Sequence, residues 1–329
     1  MKDKLVTLIG GGGFVGRYVA QALLKAGARV RIAQRDPRQA WFIKPLGGLG
    51  QTQFVAADVR KPETVARAVH GADAVVNLVG LLAGDLDGVH VAGARNVAEA
   101  CAANHVAALV HVSAIGADVE APSRYGRTKG EGEAAVRAAF PKATIIRPSI
   151  MFGREDHFTN RFAAMIAKVP VVPILRASTR FQPVFVADVA TAIVKALADR
   201  EAFGGKILEL GGPDVVSMGE LLRWIAREMG RDPAFVELPE VLGSLIAGAG
   251  FLPGAPITRD QWQMLQRDNV VSEGAEGFAA FGVTPTPVAA VAPGWLVRFR
   301  RNGRFAKVER ADDLERLSEL RRDKIDRAA

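Results

Sequence analysis

The sequence contains a single cysteine, Cys101, in a chain of 329 residues. One cysteine excludes an intrachain disulfide and a cysteine-based metal cage, and this composition suits a reducing compartment. None of the five histidines has the spacing of a metal-binding motif. We therefore predict no metal site, and we expect Cys101 to be a small buried residue inside a helix.

The sequence also lacks an apolar run long enough to cross a bilayer. The longest runs near the end, residues 242–252 and 288–297, are well short of roughly 20 residues and contain Gly or Pro. The first residues, MKDKLVTLIGGGG, enter a predicted strand without the pattern of a secretory signal. We expect no export and no membrane span, although both apolar runs can lie against a membrane or a partner.

Aromatic residues are few, at 7%, and they do not alternate with basic residues as in many RNA-binding proteins. The net charge of +8 favours anionic partners such as phospholipid, nucleic acid or a phosphorylated cofactor. Charge alone does not choose among these partners. Because the basic-aromatic pattern and zinc spacings are missing, we predict that the chain does not bind nucleic acid.

Short apolar runs alternate with Ala-rich amphipathic stretches over the first half of the chain. This alternation predicts an α/β fold, a doubly wound parallel Rossmann sheet with a smaller, mostly helical C-terminal lobe. We assign residues 1–153 and about 181–212 to the Rossmann domain, and residues 154–180 and 213–300 to the smaller lobe. Residues 301–329 form a basic and then mixed-charge tail, which is either solvated or in contact with anionic lipid or a partner.

Gly10, Gly13 and Gly16 follow the first predicted strand and open the first predicted helix. Glycines in this pattern allow a tight turn, bring backbone N–H groups close to a pyrophosphate, and let the helix pack closely on the sheet. The pattern therefore predicts a dinucleotide site, in which Phe14 and Val15 at the start of the helix also contact the cofactor.

The tip of the second predicted strand carries Gln34, Arg35 and Asp36, and Arg17 follows the last glycine of the loop. An NAD site usually offers a carboxylate to the ribose 2′-hydroxyl, whereas a 2′-phosphate is bound by Arg. The two guanidinium groups favour NADP(H) over NAD(H). The alternative remains open that Arg35 is solvated and Asp36 binds the ribose.

Further cofactor contacts are expected at the ends of the next strands. Asp58 closes the third strand, where its carboxylate can meet the adenine amine, and Val59 follows it. The far side of the cofactor is expected to be lined by Asn77, Leu78, Val79 and Gly80.

Ser113 ends a predicted strand, and Tyr125 and Lys129 stand four residues apart on the next predicted helix. Positions i and i+4 share a helix face, so the ammonium can lie near the phenol. One interpretation is catalytic: Ser113 orients a carbonyl, Tyr125 transfers a proton and Lys129 holds the nicotinamide ribose. The other is that all three residues only hold the cofactor.

The glycine pattern, Ser113 and the Tyr-x-x-x-Lys pair resemble the short-chain dehydrogenase/reductase superfamily over residues 1–215. The stretches RYGRTKGEGE, RPSIMFGREDHFTNRFA, QPVFVADVA and PITRDQ are more specific. They resemble the NADPH-binding accessory subunits of respiratory complex I (NADH:ubiquinone oxidoreductase), over most of the chain to about residue 305.

That resemblance implies a tightly held NADPH, near the junction of the peripheral and membrane arms, that does not feed electrons into the redox chain. It implies a role in assembly or stability and a peripheral place on the cytoplasmic side of a bacterial inner membrane, or on the matrix side for a processed mitochondrial form. The cofactor contacts implied by the resemblance are Gly10, Gly13, Gly16, Arg17, Arg35, Asp58, Ser113, Tyr125, Lys129 and Pro148.

Two other functions stay open. The complete set of Ser113, Tyr125 and Lys129 suits an oxidoreductase or epimerase acting on a small carbonyl or sugar-nucleotide substrate, and the same fold can host an NADP(H)-sensing regulator. An enzyme would need polar groups from the second lobe near the nicotinamide. The residues available for that role are Arg154, Glu155, Asp156, His157, Arg161 and Arg180, of which the first three could equally form a structural turn.

Overall fold

The computed structural model describes residues 1–250, 257–301 and 303–305, so most of the predicted tail lies outside the described residues. The chain divides into two compact units. Among the described residues, the first unit contains 1–149, 186–211 and 271–284, and the second contains 150–185, 212–250, 257–270, 285–301 and 303–305. Within the described ranges, no helix combines the length and the apolar character needed to cross a bilayer.

The secondary structure alternates between strand and helix through the first half of the chain. The strands are β1 (Leu5–Ile9), β2 (Arg29–Gln34), β3 (Thr52–Ala56), β4 (Ala74–Asn77), β5 (Ala108–Val112), β6 (Thr144–Pro148), β7 (Met151–Phe152), β8 (Val171–Leu175), β9 (Arg180–Phe181), β10 (Val184–Phe185), β11 (Ile207–Leu210), β12 (Val216–Ser217) and β13 (Ala234–Leu238). The α-helices are α1 (Phe14–Lys25), α2 (Pro62–Val69), α3 (Gly93–Ala103), α4 (Arg124–Ala139), α5 (Thr159–Lys168), α6 (Val186–Ala198), α7 (Arg200–Phe203), α8 (Met218–Glu228), α9 (Glu240–Gly248), α10 (Arg259–Met264), α11 (Val288–Val291) and α12 (Pro293–Leu296).

The first unit contains a seven-stranded sheet in the order β11-β6-β5-β4-β1-β2-β3. Every neighbouring pair in this sheet is parallel. The central strands β4 and β5 are buried along their whole length, as expected for a sheet covered by helices on both faces. These observations confirm the predicted doubly wound Rossmann fold.

Small side chains let the helices of the first unit pack closely on the sheet. One core cluster joins β-branched strand residues such as Val75 and Ile145 to helix residues such as Val97 and Ala98, all at most 1% exposed. Cys101 lies in the same cluster with no exposed surface, in agreement with its prediction as a buried apolar residue.

The second unit packs helices against three two-stranded sheets. Its core surrounds the fully buried Trp224 on α8, a helix that begins with a capping box between Ser217 and Glu220. Strand β10 pairs with β7, which is why residues 181–185 and 150–153 belong to this unit and not to the first one. Residues 271–284 join the first unit instead, where the Ser272 N–H donates to Glu209.

A buried ion triad links three elements of the first unit. Arg147 of β6 donates to both carboxylate oxygens of Glu133 on α4, at 2.9 and 2.7 Å, and to Glu209 of β11 at 3.4 Å. The side chains of Glu133 and Glu209 are 5% and 7% exposed, and that of Arg147 is 22% exposed. Both carboxylates therefore depend on one guanidinium for their neutralisation.

We predict that Arg147→Met destabilises the protein by about 3–5 kcal/mol, because it leaves two buried carboxylates without their cation. Urea unfolding at neutral pH measures the change. Lys206→Met is the control, since Lys206 pairs with Glu276 at the surface, and it should change stability by less than about 1 kcal/mol. Equal effects of the two variants would contradict the structural role of the triad.

Candidate functional site

The parallel sheet brings the predicted site residues to one edge. Ile9, Asn77 and His111 are direct neighbours across β1, β4 and β5. Gly10 follows Ile9, and Ser113 follows β5, so both lie at the carboxyl ends of adjacent strands. In open α/β sheets, ligands bind outside this edge, at the point where the strand order reverses. Here that point lies between β1 and β4.

The glycine loop between β1 and α1 leaves no room for side chains. Gly10 has φ +80, and a Cβ placed there would lie 2.9 Å from Cγ2 of Val79. A Cβ on Gly16 would lie 2.2 Å from the backbone oxygen of Gly11, so only glycine lets α1 approach the loop this closely. Helix α1 begins at Phe14 with no acidic residue in its first turn. Its first N–H groups therefore offer a site suited to an anion such as a pyrophosphate.

The side chain of Gln34 connects the end of β2 to this loop. Its Oε1 accepts a hydrogen bond from the Gly12 N–H at 2.9 Å, and its Nε2 donates to the Asp36 carbonyl at 2.7 Å. Gln34 thus fixes the strand tip at which dinucleotide-binding folds recognise the adenosine ribose. Its place at this tip was predicted from the sequence, but a contact role was not.

Each carboxylate near this tip is held by a neighbouring guanidinium. Asp36 accepts hydrogen bonds from the backbone and side chain of Arg38, and the Arg38 side chain lowers the pKa of Asp36. Asp58 is bound in the same way by Arg60, which lowers the pKa of Asp58 to about 2, with a smaller contribution from Arg35. Both carboxylates are therefore ionised at neutral pH and already have a cationic partner.

Asn77 orders the loop that follows β4. Its Oδ1 accepts from the Val79 N–H at 3.2 Å, and its Nδ2 lies 3.1 Å from Nδ1 of His111. Desolvation lowers the pKa of His111, so the ring is neutral and its Nδ1 can accept this hydrogen bond. The backbone of Leu78, Val79 and Gly80 is thus held beside the glycine loop, where Val79 contacts the position of a Gly10 Cβ.

Lys129 and Tyr125 both lie on α4, which begins with Ser123 capping the Gly126 N–H. Lys129 is 4% exposed, and its Nζ donates to the carbonyl of Val112 at 2.9 Å. Burial lowers the pKa of Lys129 to about 8, and burial raises the pKa of Tyr125 to about 12. At neutral pH the lysine is mostly charged and the phenol is protonated.

The lowered pKa of Lys129 has a defined effect on stability. The folded chain releases the proton near pH 8, whereas the unfolded chain keeps it up to the ordinary value of 10.5. The unfolded state therefore binds more protons between these values, and the contribution of Lys129 to the free energy of unfolding increases with pH across that interval.

The Ser113 hydroxyl has no hydrogen-bond partner in the described structure, although its oxygen is buried. Buried hydroxyl groups are almost always paired, so an orphan of this kind indicates a partner that belongs to a ligand or a water molecule. Ser113 lies one residue after Val112, whose carbonyl binds Lys129. The orphan hydroxyl and the buried ammonium therefore lie next to each other at the sheet edge.

His90 joins this site without having been predicted from the sequence. It lies in a π-helical turn, Asp87–Ala92, and its Nε2 accepts from the Leu81 N–H at 2.9 Å. Because Nε2 accepts, Nδ1 carries the proton, 3.0 Å from Oγ1 of Thr128 on α4. The His90 ring also packs edge-on against Tyr125. His90 therefore ties the loop after β4 to the helix that carries Tyr125 and Lys129.

Gly80 lies close to two of these groups. A Cβ placed on Gly80 would lie 3.9 Å from both Nε2 of His90 and Nζ of Lys129. The glycine loop, the unpaired Ser113 hydroxyl and the buried Lys129 together fit a nicotinamide dinucleotide. When bound, this cofactor supplies a hydride. The remaining predicted contacts lie on the same unit: Phe14 and Val15 begin α1, Val59 follows β3, and Pro148 ends β6.

Two of the polar residues proposed for the second lobe, Asp156 and Arg180, have structural partners. Asp156 is 3% exposed and accepts hydrogen bonds from Gly153 and Thr159, so it builds the turn before α5. Arg180 pairs with Asp268 at 2.7 Å. The Arg154 carbonyl accepts from Asn160 in the same turn, whereas His157 and Arg161 are exposed.

Comparison with known proteins agrees with this geometry. A profile of the NAD dependent epimerase/dehydratase family matches residues 6–211. The mitochondrial NADH dehydrogenase (ubiquinone) 1 alpha subcomplex subunit 9 of Arabidopsis thaliana is 33% identical over 317 residues, which are 91% of this chain and 79% of that protein. This match confirms the resemblance to complex I subunits that the sequence motifs indicated.

Two further proteins show similarity of different kinds. Ceramide reductase of Caulobacter vibrioides is 33% identical over 250 residues, covering 74% of this chain and 76% of that protein. The solved NADPH complex of an NADPH-dependent quinone oxidoreductase from Escherichia coli has a TM-score of 0.71 at 17% identity, covering 88% of this chain and 99% of that one. At that identity the second likeness concerns the fold alone.

The glycine loop generates a prediction that separates binding from folding. Gly13→Ala should keep the fold, because Gly13 has φ −76 and its added Cβ would lie 3.3 Å from the Gly10 oxygen. It should weaken dinucleotide binding about tenfold or more, by obstructing the approach of the pyrophosphate to the backbone. Gly16→Ala should reduce both binding and thermal stability.

Fluorescence titration with NADPH and thermal unfolding measure the two quantities. Gly294→Ala is the control, since no atom lies within 4 Å of its added Cβ, and it should change neither. Wild-type affinity in Gly13→Ala would show that the loop does not hold the cofactor.

Proposed function

The chain belongs to the NAD dependent epimerase/dehydratase family, and from this membership we propose that it binds NADP(H) and serves as an accessory subunit of respiratory complex I. The single observation that carries the proposal is the 33% identity to a complex I subunit over 91% of this chain. Similarity of this extent includes residues beyond the dinucleotide-binding region, which ends at residue 211. The similarity is therefore not explained by a shared cofactor fold alone.

In this proposal the cofactor acts as a part of the fold. A ligand that binds only the native state stabilises that state by mass action. Tightly bound NADP(H) would therefore stabilise the first unit without being oxidised or reduced. We place the subunit at the junction of the peripheral and membrane arms, on the cytoplasmic or matrix side.

The charge distribution supports NADP(H) over NAD(H). Binding of NAD(H) needs a carboxylate for the ribose 2′-hydroxyl, and the two carboxylates near the β2 tip already bind Arg38 and Arg60. Arg35 is exposed at that tip and lies close enough to Asp58 to lower its pKa. The 2′-phosphate of NADP(H) would lie near cations there. We therefore propose that Arg35 binds this phosphate and that Arg17 is the second cation near it.

A second function is supported by a separate observation. Ser113, Tyr125 and Lys129 form a complete set at the sheet edge, and a homologue of similar identity is named a ceramide reductase. In a reductase, the protonated Tyr125 would donate its proton to a carbonyl oxygen, while the orphan Ser113 hydroxyl would donate a hydrogen bond to the same oxygen. The substrate would then be a ketone of a lipid or another apolar molecule.

Co-migration with complex I tests the first function. Membranes of the source cell are solubilised mildly and separated on a native gel, and the chain should be found in the complex I band with NADPH bound. Absence from that band in cells that assemble complex I would overturn the proposal.

The reductase function is tested by measuring NADPH oxidation in the presence of apolar ketones. Activity in the wild-type chain that is lost in Tyr125→Phe would establish the reductase function.

Cofactor choice provides a quantitative prediction. Arg35→Gln should raise the Kd for NADPH by at least about tenfold, because a charge-assisted contact with the 2′-phosphate is lost, and should leave the Kd for NADH nearly unchanged. Arg29→Gln, at the opposite end of the same strand, is the control and should have little effect on either. An equal loss for both nucleotides would exclude a specific contact with the 2′-phosphate.

Lys129 makes binding depend on pH. If its ammonium donates to the nicotinamide ribose, NADPH should bind most tightly below pH 8, and Kd should rise by up to about tenfold per unit above it, as the lysine loses its proton. Titrations from pH 6.5 to 9.5 measure this. Lys129→Met should bind weakly with a flat profile, whereas the control Lys195→Met should keep the wild-type profile.

A further inference from the structure

The segment between β2 and β3 exposes four large apolar side chains. The exposed fractions are 58% for Trp41, 39% for Phe42, 41% for Leu46 and 107% for Leu49. These four residues are called the 41–49 patch. In the rest of the first unit, whose residues are all described, the other large apolar side chains with high exposure are Leu82 and Val119, which are far from this segment in sequence. Contiguous exposed apolar side chains usually indicate an interaction surface.

The 41–49 patch is held in place by buried anchors. Ala40 precedes Trp41 and Ile43 follows Phe42, and neither has exposed surface. The Asp36 carboxylate caps the 3-10 segment Pro37–Leu46 by accepting from the Arg38 N–H. After the segment, the Gly48 N–H donates to Oε1 of Gln51 at 2.7 Å. A surface that is already ordered loses little conformational entropy when a partner binds it.

The charged side chains between Asp36 and Asp58 are all basic. Arg35, Arg38 and Lys44 are exposed in the same segment. No acidic residue occurs in the sequence between Asp36 and Asp58, and Asp36 already binds Arg38. The segment that carries the patch is therefore positive, and a complementary partner surface carries carboxylates.

We propose that the 41–49 patch docks this chain onto an acidic protein surface of complex I, with Trp41 and Leu49 in an apolar depression and Arg38 and Lys44 opposite carboxylates. This inference rests on the proposed function and names the part of the chain that makes the contact. A rigid Trp with Arg nearby is the composition of protein interface cores. The 3-10 segment Pro37–Leu46 contains Pro45 and is not an amphipathic α-helix of the kind that lies on a membrane surface.

Phe42 also contacts the nucleotide cradle and is left unchanged in the experiment. The Arg17 guanidinium stacks 4.3 Å from the centre of the Phe42 ring, so a change at Phe42 would alter both surfaces. Trp41 and Leu49 can be replaced without touching this contact. The test therefore uses the Trp41→Ser/Leu49→Ser double variant, expressed at wild-type level in cells that lack their own copy of the gene.

The measured quantity is the fraction of the chain in the complex I band of a native gel, with NADPH content and thermal stability of the purified protein recorded alongside. The double variant should show at least a tenfold lower fraction with unchanged NADPH content. Val119→Ser, which alters an exposed apolar residue in the loop before α4, should behave as wild type. Wild-type incorporation of the double variant would overturn the proposal.

A matched pair of charge variants tests whether the basic residues beside the patch contact the partner. Lys44→Glu and Lys142→Glu change the net charge equally, and both side chains are exposed. Only Lys44→Glu should reduce incorporation into complex I, whereas equal reductions by the two variants would indicate a general charge effect and overturn the assignment.

Binding to vesicles that contain phosphatidylglycerol tests whether the patch binds lipid. If the double variant loses vesicle binding but keeps its place in complex I, the patch binds lipid and the proposal is wrong.

Failure of the docking proposal is distinguishable from failure of the proposed function. If wild-type chain is absent from the complex I band, the accessory-subunit function fails and the docking proposal fails with it. If wild-type chain is present and the double variant is equally present, the function stands and the docking proposal alone is overturned.

Discussion

Parallel pairing of the central strands is the constraint on which the site depends. Because all seven strands run in one direction, their carboxyl ends meet at a single edge, and residues far apart in sequence become neighbours there. Gly10, Asn77 and Ser113 reach this edge from three different strands. The loops at the edge are then ordered by a few buried hydrogen bonds, of which those of Asn77 and His90 are the clearest.

Electrostatics divides the site into two halves. At the adenosine end, charged groups lie near the surface, and guanidinium groups neutralise the nearby carboxylates. At the end proposed for nicotinamide, the Lys129 ammonium is buried, and desolvation lowers its pKa to about 8 against the opposing effect of the Glu133 carboxylate. The half with the guanidinium groups suits recognition of a phosphate. In the other half, burial of the Lys129 ammonium lowers the stability of the fold, and a bound ligand can offset this loss.

The glycine pattern and the Tyr125–Lys129 pair were predictable because their spacing reflects local geometry: a tight turn in one case and one helical turn in the other. The alternation of apolar runs likewise predicted the doubly wound sheet. His90 had no such signal, since its partners Leu81 and Thr128 belong to a loop and to a distant helix. Two-residue strands such as β7 and β10 show no periodicity, so residue spacing carried no signal for their pairing.

Local chemistry was thus determined by the sequence itself: the glycines that bring backbone close to a pyrophosphate, the absence of cysteine ligands, the excess of positive charge and the helix face shared by Tyr125 and Lys129. Tertiary structure alone decided which buried groups meet at the sheet edge. Lys129 of α4 binds the carbonyl of Val112 on β5, and His90 joins the loop after β4 to Thr128. Ser113 looks like any strand-end serine, yet its buried hydroxyl has no partner in the described structure. Burial and pairing are properties of three-dimensional neighbours, which residue spacing along one chain does not specify.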